Sequence, residues 1–137
     1  MDSILGTLAQ GLPVLAGQFA VTLALLGVGI ACYMMLTPFD ERRLVREGNV
    51  AAGIVVAGTL VSLAIPLAAT LASSTVTLDI LLWGLVALVI QLATFAITAA
   101  LIPGLRAMIE AGNIAMALVL IGIQIAVALL NAGAMAG

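Results

Sequence analysis

Long uncharged runs, broken at a few points, set the pattern of this chain. Its four basic and six acidic residues fall in four places: Asp2; the cluster Asp40, Glu41, Arg42, Arg43, Arg46 and Glu47; Asp79 alone; and Arg106 with Glu110. The stretches between them, 3–39, 48–78, 80–105 and 111–137, are uncharged and mostly aliphatic. A helix needs about 20 apolar residues to cross the hydrocarbon core, and two crossings need about 40. Each stretch therefore holds one crossing. The pattern predicts an all-α, polytopic membrane protein with four transmembrane helices at about 13–36, 49–72, 80–102 and 113–135, forming one domain over 1–137.

Two connections carry all four arginines, 37–48 and 103–112, and they echo each other. Residues 36–51 read LTPFDERRLVREGNVA and residues 101–115 read LIPGLRAMIEAGNIA. In both, Pro follows Leu by two, a short charged segment comes next, and Gly-Asn, a β-branched residue and Ala complete the pattern. Pro38 and Pro103 should each end a span, because Pro breaks the helical ladder. Asn49 and Asn113 are placed to cap the helices that follow. The short segments between are either plain loops or brief amphipathic helices lying in the interface, with Leu44, Val45, Leu105, Met108 and Ile109 toward lipid. The chain so read is two tandem helical hairpins, at about 13–72 and 80–135, related as a parallel repeat. The positive-inside rule puts both arginine-bearing connections in the cytoplasm and both termini outside, with loop 73–79. Trp83 then lies near the outer interface, where aromatic belts form. Residues 1–11 hold only Asp2, unlike the positive start of a secretory signal.

Composition narrows the function classes. The chain is 65% hydrophobic and 7% charged, against roughly 25% charged in a soluble domain. With no Lys, four Arg and a net charge of −2, it has no basic patch to neutralise nucleic acid. A single cysteine, Cys32, excludes an internal disulfide, and the absence of His removes His-ligated metal and His acid–base chemistry. Paired carboxylates, a Cys–His pair and a long loop to hold a catalytic group away from lipid are missing, so no enzymatic activity and no cofactor are expected.

The chemistry available lies inside the spans. Small or polar residues recur at helical spacing: Gln18, Thr22, Gly29 and Tyr33; Thr59, Ser62 and Pro66; Gly84, Ala87, Gln91, Thr94 and Thr98; Ala117, Gln124, Ala128 and Asn131. Gln91 and Gln124 fall at mid-span, where an unpaired amide costs several kcal/mol, so both should point into the bundle or an oligomer interface. Two readings are open. The stripes are either interhelical hydrogen bonds, worth about 0.6 kcal/mol each, or a polar pathway. Pro66 frees the carbonyl near Ser62, and broken helices often mark transport sites. No acid lies deep in a span. Asp79 is either the N-cap of the third span or the outer mouth of a route continuing through Gln91. The pathway candidates are Gln91, Gln124, Asp79, Pro66, Thr59 and Asn131. Arg42, Arg43, Arg46 and Arg106 serve topology and anionic lipid headgroups.

Several strings carry a family resemblance: Leu36-Thr37-Pro38, Gly58-Thr59-Leu60, Ile65-Pro66-Leu67, Trp83-Gly84, Ala87 to Leu92, Pro103, Asn113 and Asn131-Ala132. From about residue 20 onward the chain resembles the YjfL-like family of small bacterial inner-membrane proteins, classed as domain of unknown function 350. The resemblance implies an inner-membrane location and four spans, and supplies no catalytic residues. The expected function is a small transporter or channel for an ion, a proton or a small solute. One four-helix unit is slim for a solute path, so a homo-oligomer in the lipid bilayer is expected. The alternative is a non-transporting anchor whose connection 39–47 recruits a cytoplasmic partner. That the partner belongs to envelope stress is what the resemblance implies.

Overall fold

The computed structural model describes residues 1–37 and 39–136. Among them are six helices: α1 (Asp2–Leu36), α2 (Glu41–Arg46), α3 (Val50–Ser73), α4 (Thr77–Leu101), α5 (Leu105–Glu110) and α6 (Ile114–Ala136). The four long ones are long and apolar enough to cross a membrane. The order long–short–long occurs twice, and the protein is all-helical across the described residues.

The short helices settle the loop-or-helix alternative, but their apolar sides face inward. Leu44, Leu105 and Ile109 are buried in the bundle, and only Val45 of the apolar set is well exposed. Burying them covers the connection end of the core, where lipid contact would have left it open. Both short helices end in the same left-handed stop. Gly48 and Gly112 each have φ of 83°. Gly48 N–H donates to Val45 O and Asn49 N–H to Leu44 O; Gly112 and Asn113 repeat this with Ile109 O and Met108 O. This pairing satisfies the last carbonyls of each helix, and glycine fits because the left-handed conformation is free of a Cβ clash. The asparagines then cap as expected. Asn49 Oδ1 accepts from Ala52 N–H and Asn113 Oδ1 from Met116 N–H, each at 3.0 Å. Asn49 also donates through Nδ2 to the carbonyls of Ile109 and Glu110, at 2.9 and 3.2 Å, fastening the start of α3 to the end of α5.

Two boundaries move. Helix α1 runs back through Pro13 to Asp2, 35 residues in all, whereas the sequence suggests a start near 13. Pro13 removes one ladder bond, which an apolar helix tolerates. Helix α4 begins at Thr77, one turn earlier than expected, with Val76 at its N-cap. Asp79 is thus in the first turn and is not the cap. Pro103 does follow the end of α4 as expected, while the stop assigned to Pro38 lies outside the described residues. Helix α3 continues through Pro66 to Ser73.

Helices α3 and α6 form the most closely packed pair. Gly58 lets them approach: a Cβ there would collide with the side chain of Ile121. On the other side, Gly29 of α1 faces Leu88 and Leu63, and Gly84 of α4 faces Leu25 and Leu67. Like Gly58 with Ser62, the glycines Gly27, Gly53 and Gly122 have a small residue four positions on (Ala31, Ala57 and Ala126), but they face open space. Only the second half of α1 is packed, from Leu25 through Gly29 to Tyr33. Two apolar clusters result. One, at the arginine end, includes Phe39, Leu44, Val55, Phe95, Ile109 and Leu120. The other, toward the Asp79 end, comprises Leu25, Leu63, Leu67, Ile80 and Leu88. On α3 the buried Thr59 and Ser62, and on α4 the buried Gln91, sit between these levels.

Candidate functional site

Four of the six pathway candidates meet in one network. The hydroxyls of Thr59 and Ser62, from α3, each donate to Oε1 of Gln124 on α6 at 3.2 Å. Gln91 of α4 donates through Nε2 to the backbone carbonyl of Gln124 at 3.3 Å. Asn131, two turns further along α6, donates to Oε1 of Gln91 and to the carbonyl of Ala87, both at 3.4 Å. All five side chains are buried. The helical repeat explains the convergence. Thr59 and Ser62 are three apart and share a face; Gln124 and Asn131 are seven apart and share another.

Pro66 is buried one turn beyond Ser62 and belongs to the same helix face. Its missing N–H leaves the Ser62 carbonyl without its usual intrahelical donor. Asp79 stands apart from the network but borders its end. It lines a cleft of about 560 Å³ with Thr70, Ser73, Ser74, Trp83 and Asn131. Asn131 is therefore shared by the cleft and the buried network. Trp83 is 56% exposed at this end, consistent with an interfacial aromatic.

Other polar residues of the stripes close on their own helices. Thr22 donates to Gln18 O, Thr94 to Ile90 O and Thr98 to Thr94 O. Such back-bonding satisfies a hydroxyl in an apolar helix without linking it to a neighbour. Cys32 is half-buried. Arg42, Arg43 and Arg46 are exposed on α2 and Arg106 on α5. Arg43 pairs with Glu47 at 4.0 Å and Arg106 with Glu110 at 3.0 Å, both one helical turn apart. These exposed pairs contribute little to stability.

Two residues outside the candidate set prove central. Tyr33 is fully buried, edge-on to Phe95 with ring centroids 4.7 Å apart. Its hydroxyl lies beside the side chains of Thr37, Thr59 and Glu41, but none is placed to bond it. Glu41 opens α2 and is only 3% exposed. Burial pushes its carboxyl above the ordinary value of 4.5, although nearby Thr37 and Tyr33 favour the charged form. Glu41 also lines a cleft of about 640 Å³ at the arginine end, with Thr37, Phe39, Asp40 and Arg42. Glu41 belongs to a charged cluster, and such clusters read as solvated. The clue available in the sequence is the comparison of connections, where the first residue of the other short helix is Leu105. Three buried polar atoms lack partners among the described residues: Tyr33 OH, Glu41 Oε1 and Gln124 Nε2. In series, polar side chains extend from the Asp79 cleft through Asn131, Gln91, Gln124 and Thr59 to Tyr33, Glu41 and the arginine-end cleft.

Four membrane-spanning helices around a buried polar interior define a small polytopic membrane protein. The chain belongs to the family described as Domain of Unknown Function (DUF350), whose model matches residues 7–135. It is similar to the UPF0719 inner membrane protein YjfL of Escherichia coli K12, with 33% identity over 81 residues, 59% of this chain and 61% of that protein. The YjfL protein of Escherichia coli O157:H7 gives the same figures. The match thus spans 61% of the length of these curated relatives. No solved structure matches significantly. With its four apolar helices, this chain is an inner membrane protein.

Proposed function

We propose that the protein is a small transporter or channel that carries an ion or a proton across the inner membrane. The supporting observation is the buried series from Asn131 through Gln91 and Gln124 to Thr59, with a cleft bearing Asp79 and Asn131 at one end and a cleft bearing Thr37 and Glu41 toward the other. Each interhelical hydrogen bond contributes only about 0.6 kcal/mol, so stability alone is a weak reason to bury five polar side chains in a lipid-embedded bundle. In this reading the arginine end is cytoplasmic, both termini are outside, and the two hairpins are copies of one unit. The protein works as a homo-oligomer in the bilayer, with the exposed first half of α1 available to neighbouring copies or lipid. It performs no covalent catalysis and takes no cofactor.

The test is flux in proteoliposomes. Wild-type protein should pass ions or protons above the level of empty vesicles, and Gln91→Leu and Asp79→Asn should reduce that flux. Wild-type flux equal to that of empty vesicles for protons, Na⁺ and K⁺ would reject the proposal. A second reading draws on the exposed Arg42, Arg43 and Arg46, which present cationic groups beside α2. In that reading the connection 39–47 anchors a cytoplasmic partner, and loss of partner capture on neutralising the arginines, without any flux change, distinguishes it.

A further inference from the structure

Glu41 is a buried acid at a position where packing does not require one. The first residue of α5 is Leu105, which is also 3% exposed. One short helix thus fills this position with a leucine and the other with a carboxyl group. Glu41 Oε1 and the Tyr33 hydroxyl are both unpartnered among the described residues, and the hydroxyls of Thr37 and Thr59 are their neighbours. With Oε1 enclosed and unpartnered, burial penalises the ionised carboxylate. Protonation removes the charge and converts an acceptor into a donor, with the hydroxyl oxygens of Thr37 and Tyr33 close by to accept.

No basic side chain completes a buried ion pair with Glu41 among the described residues. On its own element, Asp40 opposes its ionisation, and Arg42 and Arg46 are exposed where they line a shallow pocket with it. From α1 the titratable group facing it is Tyr33, and α3 presents Val56 and Thr59, which do not titrate. The cleft at the arginine end gives the carboxyl a route to solvent. The Tyr33 hydroxyl lies beside both Glu41 and Thr59 without bonding either, and Thr59 donates to Gln124.

We propose that Glu41 reversibly binds a proton and exchanges it between the arginine-end cleft and the buried polar series, so that the ion served is the proton. In this step an O–H bond forms at the Glu41 carboxylate as one breaks in the solvent donor, and the side-chain charge goes from −1 to zero. The choice of cargo rests on the transport reading above; the protonation site does not.

Infrared titration of the protein in lipid vesicles tests the site directly. A protonated-carboxyl C=O band should persist above the ordinary carboxyl range and vanish at higher pH. It should be absent in Glu41→Gln and shifted in Glu41→Asp. A band that survives in Glu41→Gln, or no such band in wild type, overturns the proposal. Addition of Na⁺ at fixed pH that abolishes the band also overturns it, by assigning the site to a metal cation. In the flux assay, Glu41→Gln should bring proton flux to the level of empty vesicles, and undiminished flux overturns the proposal. Glu41→Leu, which copies the side chain that α5 carries at its own first position, provides a second variant should the glutamine fail to fold. If the band behaves as expected while wild type passes nothing, the transport reading falls, and the cargo assignment with it.

Discussion

Two hydroxyls converge on the side-chain oxygen of Gln124, while its amide nitrogen meets no acceptor among the described residues. That imbalance sets the expected effect of removing it. In Gln124→Leu, Thr59 loses its interhelical acceptor, but Ser62 keeps its bond to the Thr59 carbonyl and Gln91 keeps the backbone oxygen of residue 124. An unpartnered amide group also leaves the interior. Stability should therefore fall by only about 1 kcal/mol, as read from unfolding in detergent. A loss of several kcal/mol would show that the network is chiefly structural. Glu41 yields a prediction with a definite sign. Its carboxyl is raised above 4.5 by burial, so the folded state binds the proton more tightly than the unfolded state. Its contribution is fully present below the ordinary carboxyl value and is lost as pH rises through the raised one. Wild type should thus lose stability from acid toward neutral pH, and Glu41→Gln should flatten that part of the profile. Thermal unfolding across the pH range checks this, and an unchanged slope in the variant would refute it.

At the scale of elements, the helix contacts turn on which glycines meet a neighbour. Gly58→Ala forces a methyl against Ile121 at the α3–α6 contact and should destabilise by about 1–3 kcal/mol, the usual cost of overpacking. Gly53→Ala, on the same helix with nothing nearby, should be neutral or slightly stabilising because alanine favours helix. Comparing the two variants by unfolding in detergent separates packing from propensity. The sequence shows both glycines in equivalent small-residue pairs and cannot rank them, because helix rotation about its axis depends on the partner. The same reason separates what was legible from what was not. Charge gaps and the Gly-Asn signals placed the spans and caps, since these depend on local composition and backbone sterics. That Gln91 and Gln124 turn inward was expected from the cost of isolated amides in lipid, but their meeting with Thr59 and Asn131 was not legible, because it depends on how the helices are rotated against one another. Glu41 was not legible, because whether α2 turns its first residue inward is fixed by tertiary packing against α1 and α3. Nor was the inward face of α5, where Leu105 and Ile109 cover the core.

For the whole molecule, direction across the membrane governs what the polar series can do. Helices α3 and α6 run parallel, since Gly58 meets Ile121 and Ser62 meets Gln124, and α1 runs alongside α4 through Leu25–Gly84 and Gly29–Leu88. Both short helices consequently lie at one end with Arg42, Arg43, Arg46 and Arg106, and Asp79 lies at the other. By the positive-inside rule, a K/R bias of this kind predicts that the arginine end faces the cytoplasm. Cysteine introduced at Arg43 should then be shielded from an impermeant thiol reagent in intact spheroplasts and label only after lysis. Cysteine introduced at Asp79 should label without lysis. Replacing Cys32 with alanine first keeps the signal specific. Labelling of both positions from one side would contradict the four-span arrangement itself. Labelling with the sides exchanged would preserve the fold but reverse the proposed path, placing Glu41 and its cleft in the more acidic outer compartment. A carboxyl with a raised proton affinity would there be loaded from outside, and the Asp79 cleft would become the exit. The orientation therefore decides whether Glu41 receives protons or releases them under the resting gradient.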